Sequence, residues 1–178
     1  VTARIAESFL NAPARRLVEN LLGVDSLSTG QPFYDAAAWA DQLHSDPTYA
    51  WSQPLHFINT QYRVCDGFDL NRDCPTSIDG RGCLLTGINN YTDRLADVSL
   101  TKDQRIEALK FLIHFIADMN QPLHVGFGTD KGGNKVNVFP PWDHRTDKMG
   151  KVIKTPRSKP LHVIWDSHMI QFSYIIAN

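Results

Sequence analysis

The sequence is short of several things, and each shortage excludes something. It has no apolar run approaching the roughly 18 residues that cross a bilayer, so no membrane span is expected. Neither sign of charge is in excess. Eighteen basic and 19 acidic residues leave a formal net charge of −1, so there is no global basic field to advertise nucleic-acid binding. Any anionic substrate must then be held locally, by a short basic stretch or by a metal. Cysteine is scarce: three in 178 residues, Cys65, Cys74 and Cys83, all in one polar segment rich in Gly and Asp. They form no CxxC pair, which argues against a zinc knuckle. No secretory leader opens the sequence, and a mature exported form would have lost one.

What is present is ordinary for a soluble globular chain: 42% hydrophobic and 21% charged residues. A chain of 178 residues fits one domain large enough to bury a real core. Cys74 and Cys83 close a short loop suited to a disulfide, which leaves Cys65 over; an odd cysteine in an exported chain suggests a partner elsewhere. Asn90-Tyr91-Thr92 is a glycosylation sequon that matters if the protein is exported. Beside the cysteines it leans towards secretion.

Helix signals recur along the chain. Thr2 to Asn11 reads as a short helix with Ile5 and Phe9 on one face. Asn11 can cap a second helix, with Pro13 in its first turn and Gly23 just past its end. A third helix is expected from Pro32 to Leu43, and a fourth from Cys83 to Ala96 with Leu84, Ile88, Tyr91 and Leu95 as its core stripe. Thr101 opens a fifth with Gln104 three residues on, a capping box. Ile106, Leu109, Ile113 and Ile116 give its packing stripe, and apolar residues in nearly every direction around Phe111 to Met119 predict a buried helix. Pro122 ends it. A glycine-rich loop follows from Gly126 to Gly133, then a short strand over Lys135–Val138 and an irregular basic stretch with Lys148, Lys151, Lys154, Arg157 and Lys159. A last helix is predicted over Val163–Ile176. The fold class is therefore all-α: a single mainly helical domain with a disulfide-bearing loop and little or no strand. The first helix begins almost at residue 1 and the last ends on Tyr174-Ile175-Ile176, so both ends look trimmed.

Polar residues interrupt this apolar pattern in pairs. His114 and Asp118 are one turn apart on a single helix face, and His124 follows the proline break. His162 and Asp166 repeat the spacing. Trp39-Ala40-Asp41 puts a carboxylate near a helix end, and Leu55-His56-Phe57-Ile58 puts a histidine in an apolar run. Singly, Asp41 reads as a solvated carboxylate as readily as a ligand, and His56 as a satisfied core histidine. Together Asp41, His56, His114, Asp118, His124, His162 and Asp166 supply seven nitrogen or oxygen donors of the kind zinc takes. Seven are too many for one catalytic zinc, which keeps a position open for water; they suit two.

The segments LHF at 55–57, HFIADMNQPLH at 114–124, GGNKVNV at 132–138 and LHVIWD at 161–166 closely resemble the zinc-dependent single-strand nucleases. This is the class I nuclease and 3′-nucleotidase group of the mung bean nuclease type, related more distantly to bacterial zinc phospholipase C. The resemblance implies a three-zinc cluster, with Asp41, His56, His114 and Asp118 on the first ion and His124, His162 and Asp166 on the second. Asp118 would also bridge to a third zinc. In the family that ion's other ligands are an N-terminal tryptophan and a nearby histidine, expected to precede Val1. Cys74 would pair with Cys83, and the family partner of Cys65 would lie beyond Asn178.

The implied chemistry is zinc-dependent hydrolysis of single-stranded DNA and RNA to 5′-mononucleotides, with 3′-nucleotidase activity, outside the cell or within the secretory system. No protein partner is implied. Asp41 would orient the attacking water or accept its proton, and Phe57 matches the family's base-stacking position, the alternative being a core phenylalanine. Asn59 stands where some members have an aspartate that binds the base. His44 stands where relatives often carry Lys or Arg near the scissile phosphate; a histidine there is partly charged at neutral pH, which predicts activity favouring acid. The stretch 139–160 is longer than the family's usual spacer, and its lysines are either a solvated loop or contacts for flanking phosphates. Two rival readings are a zinc phospholipase C and a non-catalytic, zinc-stabilised helical protein.

Overall fold

The structure, a computed structural model, describes residues 2–61, 67–74, 82–140, 145–146, 149, 152–153 and 157–169. Its contacts gather into two compact units: Val1–Ile58 with Asp69–Asn120, and Asn59–Phe68 with Gln121–Asn178. The described residues are mainly helical, and the fold is all-α.

The first unit holds α1 (Thr2–Phe9), α2 (Ala12–Leu22), α3 (Gln31–Gln42), α4 (Leu70–Asp73), α5 (Leu84–Ala96) and α6 (Lys102–Met119). Between α3 and α4 the chain winds as tighter 3-10 turns over Leu43–Ser45 and Pro47–His56. The punctuation read from the sequence is present. The Asn11 side chain accepts from the Ala14 amide at 2.9 Å, Pro13 lies in the first turn, and Gly23 ends α2 at φ 68° with its amide donated to Glu19. Thr101 and Gln104 form the reciprocal capping box. Cys74 and Cys83 are bridged, with Cα atoms 5.2 Å apart, so that the start of α5 is tied to the end of α4. Cys65 lies outside the described residues.

Helix α6 is the spine of this unit and packs in two directions. Leu109, with Ile106 and Ile113, joins a cluster of Ala3, Val18, Leu21, Leu27 and Phe33 from the first three helices and their loop. Phe111 and Phe115 are fully buried and stack on each other with centroids 5.2 Å apart. Burying each such ring stabilises by about 1.5–3 kcal/mol. Trp39 meets Phe111 edge-on at 5.1 Å, and Tyr91 lies 4.8 Å from it. Helix α5 packs close at Gly87, where a Cβ would stand 3.2 Å from Phe115 Cε2 and 3.3 Å from Leu55 Cβ. The expected all-round burial of α6 is not realised. Ile116 is 47% exposed, because it keeps the angular position of Leu109 but lies two turns farther along, past the end of the helix cluster.

The second unit is less regular. Thr60 and Phe127 form an isolated parallel bridge. Strand β1 (Asn137–Val138) pairs antiparallel with β4 (Lys159–Pro160), and β2 (Arg145–Thr146) with β3 (Val152–Ile153). The strand expected over Lys135–Val138 is thus confined to its last two residues. Helix α7 (Leu161–Val163) begins earlier than expected, includes His162, and widens into a π-helical turn over Ile164–His168. Residues 170–176 of the predicted last helix lie outside the described residues. Among the described residues, no helix is long and apolar enough to cross a membrane.

Candidate metal centre

The first donor set lies wholly in the first unit. His114 and Asp118 project from successive turns of α6, Asp41 from the last turn of α3, and His56 from the end of the 3-10 segment. Asp118 Oδ2 stands 3.0 Å from His56 Nδ1 and 3.1 Å from His114 Nε2, and those two nitrogens are 3.1 Å apart. Asp41 Oδ1 is 3.5 Å from His114 Nε2. His56, His114 and Asp118 are buried, whereas the Asp41 side chain is 74% exposed, so the set has one open side. His114 Nδ1 lies 2.6 Å from the Ala37 carbonyl oxygen. A carbonyl can accept and not donate, so Nδ1 carries a proton and Nε2 is the nitrogen turned to the cluster. Burial works against a charge on His114. The hydrogen bond and charge of Asp118, helped by the Ala37 carbonyl and Asp41, outweigh it and raise its pKa above the ordinary histidine value.

The second set lies wholly in the second unit. His162 and Asp166 are one turn apart, with His162 Nε2 3.0 Å from Asp166 Oδ2, and His124 Nε2 is 3.4 Å from Asp166 Oδ1. The two imidazole rings lie nearly parallel, 5.0 Å between centroids and 9° between planes. His162 Nδ1 is 2.8 Å from the Gly132 carbonyl, which again leaves Nε2 as the presented nitrogen. Gly132 sits at φ +57°, and a Cβ there would fall 2.1 Å from the Leu123 carbonyl oxygen, so glycine is required. Gln121 donates from Nε2 to Asp166 Oδ1 at 2.6 Å. Burial would raise the Asp166 pKa, but the hydrogen bonds from His124 and Gln121 and the charges of His124 and His162 bring it below the ordinary carboxylate value.

Both sets fit a divalent ion of zinc's type. Asp41, His56 and His114 present ligand atoms within 4.8 Å of one another, and so do His124, His162 and Asp166. Donors held roughly 2.0–2.1 Å from one tetrahedral ion stand about 3.3 Å from each other. The closest pairs here, at 3.0–3.5 Å, bracket that spacing. Imidazole and carboxylate ligands are the donors zinc prefers once thiolates are absent, and the described cysteines are engaged in a disulfide.

The S1/P1 Nuclease family model matches residues 1–175. The chain belongs to the S1/P1 nuclease family. It is 36% identical to "Nuclease P1" of Penicillium citrinum over 172 residues, which is 95% of this chain and 55% of that protein. It is 34% identical to "Endonuclease 2" of Arabidopsis thaliana over 177 residues, 96% of this chain and 54% of that one. With "Nuclease S1" of Aspergillus oryzae it shares 34% over 170 residues, covering 94% and 51%. The chain thus spans about half the length of the curated relatives it matches.

In this member of the S1/P1 nuclease family the seven donors read from the sequence fall into two sets. His44 lies in the 3-10 turn after α3, its ring 6.5 Å from that of His56. Phe57 directly follows His56 and is 41% exposed, which rules against the alternative of a core phenylalanine. Asn59 is exposed and lies over Gly128, where a Cβ would meet its own Cβ at 3.2 Å. Asn90 is exposed on α5, and the Thr92 hydroxyl donates to the Ile88 carbonyl at 2.8 Å. Sequence reasoning passed over the groups that orient the donors: the Ala37 carbonyl, the Gly132 carbonyl and the Gln121 amide. Gln121 and Gly132 stand inside the NQPLH and GGNKVNV segments, and that position was the available signal.

Proposed function

We propose that the protein is a zinc-dependent phosphodiesterase that cleaves single-stranded DNA and RNA to 5′-mononucleotides and removes phosphate from 3′-nucleotides. The observation that carries this reading is the pair of His/Asp sets, each with a histidine whose Nδ1 is bound to a backbone carbonyl and whose Nε2 faces its donors. Asp41, His56, His114 and Asp118 would hold one zinc; His124, His162 and Asp166 would hold another. Asp118 is the residue proposed to reach a third. Bound zinc supplies Lewis-acid chemistry, lowering the pKa of a water from 15.7 towards about 7 and neutralising charge on phosphate oxygens.

The chain's own residues do the rest. Asp41, with its exposed carboxylate at the open side of the first set, orients the attacking water and takes its proton. His44 donates to a phosphate oxygen, more strongly when protonated. The exposed Phe57 ring presents a face on which any unpaired base can stack, and a base inside a duplex cannot reach it. Asn59 both donates and accepts, so it tolerates more than one base edge. The relatives named as nucleases and endonucleases support the reaction class. The Cys74–Cys83 bridge supports an oxidising compartment, and the exposed Asn90 is the proposed glycan acceptor. The experiment is to assay the zinc-loaded chain on single-stranded DNA, duplex DNA, RNA, 3′-AMP and phosphatidylcholine, with and without a chelator. Chelator-sensitive release from the single strands and 3′-AMP is expected. Turnover of the lipid alone, or zinc binding with no hydrolysis, would overturn the proposal.

A further inference from the structure

We propose that Gln121 is a positioning residue that fixes the carboxylate of Asp166 for metal binding, an inference that rests on the zinc reading of the second donor set. Gln121 lies one residue beyond the Asn120 cap that ends α6 at Met119, at the start of the turn that Pro122 enforces. Its amide is held at both ends. The Leu123 backbone N–H donates to Oε1 at 2.5 Å, which leaves the amide nitrogen as the free donor, aimed at Asp166 Oδ1 2.6 Å away. The orientation of the amide follows from the chemistry: a backbone N–H needs an acceptor, a carboxylate needs a donor, and one flip would misalign both. The turn is closed further by the His124 amide, which donates to the Gln121 carbonyl at 3.0 Å. One residue therefore holds the carboxylate with its side chain and the backbone of the ligand His124 with its main chain.

The consequence for the carboxylate is directional. Oδ1 accepts from Gln121 at 2.6 Å, closer than His124 Nε2 at 3.4 Å, and Oδ2 faces His162 Nε2, so a contact outside the donor set helps to fix the plane of the carboxylate. Asp166 sits on the π-helical turn Ile164–His168, a local widening of the helix of the kind found at functional sites. Outer partners of this kind change metal affinity by about 10–100-fold when removed.

The test is a zinc titration of the full chain against a chromophoric chelator, with cobalt(II) absorption as a second readout. The proteins compared are wild type, His162→Ala, Gln121→Met and Gln121→Asn. Gln121→Met keeps the length and removes both the Nε2 donor and the Oε1 acceptor; Gln121→Asn keeps the amide but falls a methylene short. Both are expected to weaken one class of site by 10–100-fold, to leave the other at wild-type affinity, and to alter the cobalt band of the weakened class. Wild-type affinity and an unchanged cobalt band in both variants would overturn the proposal. So would a large fall in the melting temperature of the metal-free chain in both, because the amide would then hold the turn and not the carboxylate. Failure of the underlying zinc reading looks different: His162→Ala would bind as much zinc as wild type.

Discussion

Replacing Gly132 with alanine gives a sharp test of how the second donor set is held, because a matched control exists in the same chain. Gly132 and Gly23 both occupy left-handed backbone, at φ +57° and +68°. An alanine at either position carries a strain of roughly 1–2 kcal/mol. At Gly23 a Cβ meets nothing within 4 Å, so strain is the whole effect. At Gly132 the Cβ would fall 2.1 Å from the Leu123 carbonyl oxygen, and the backbone must move. The carbonyl of Gly132 itself moves with that backbone, and it is this oxygen, 2.8 Å from His162 Nδ1, that fixes the ring's tautomer and direction. Losing such an outer contact weakens metal binding by about 10–100-fold, equivalent to about 1.4–2.8 kcal/mol. Thermal unfolding in EDTA should therefore fall by a few degrees in both variants, since 1 kcal/mol shifts a domain of this size by about 2–4 °C. Zinc affinity, measured by chelator competition, should fall in Gly132→Ala and stay unchanged in Gly23→Ala. Equal zinc affinity in the two variants would mean that the Gly132 carbonyl does not hold His162 for the metal.

The pH dependence of zinc stabilisation follows from His114. Its pKa is raised in the metal-free fold, so protonated His114 contributes stability that is fully present below the unfolded value of about 6.5 and lost as pH rises through the higher folded value. Zinc needs the neutral ring, so the difference between melting temperatures in zinc and in EDTA should widen as pH rises from 6 to 8.5; a constant difference would contradict this. Phe57→Ala should weaken binding of a single-stranded oligonucleotide by about 1–3 kcal/mol, read by fluorescence anisotropy, while the melting temperature hardly moves because the ring is 41% exposed. Gly87→Ala should cost about 1–3 kcal/mol of stability, since its Cβ would press on Phe115 and Leu55 at 3.2–3.3 Å. Because Leu55 is bonded to His56, zinc affinity of the first set should fall with it.

What was legible in the sequence was local. Asn11, Gly23, Thr101 and Gln104 announced helix ends because caps act over three or four residues. The two HxxxD pairs were legible because helical periodicity alone places them on one face. Asp41 and His56 could not be joined to His114 by spacing; long, ordered motifs brought them together, and the fold then placed them within 3.1–3.5 Å of it. The exposure of Ile116 was hidden because periodicity gives an angle around the axis and not the length of the neighbours that cover it. The 3-10 winding of Pro47–His56 and the π turn at Ile164–His168 left no periodic trace at all. The outer contacts from Ala37, Gly132 and Gln121 were hidden for a different reason. Two of them are backbone carbonyls, which any residue carries, and the third depends on a partner 45 positions away.

The most direct measurement is anomalous scattering at the zinc edge from crystals of the chain grown with zinc. One ion is expected on Asp41, His56, His114 and Asp118, and another on His124, His162 and Asp166. Ions bound elsewhere, or both sets free of metal with their His–Asp contacts intact, would contradict it.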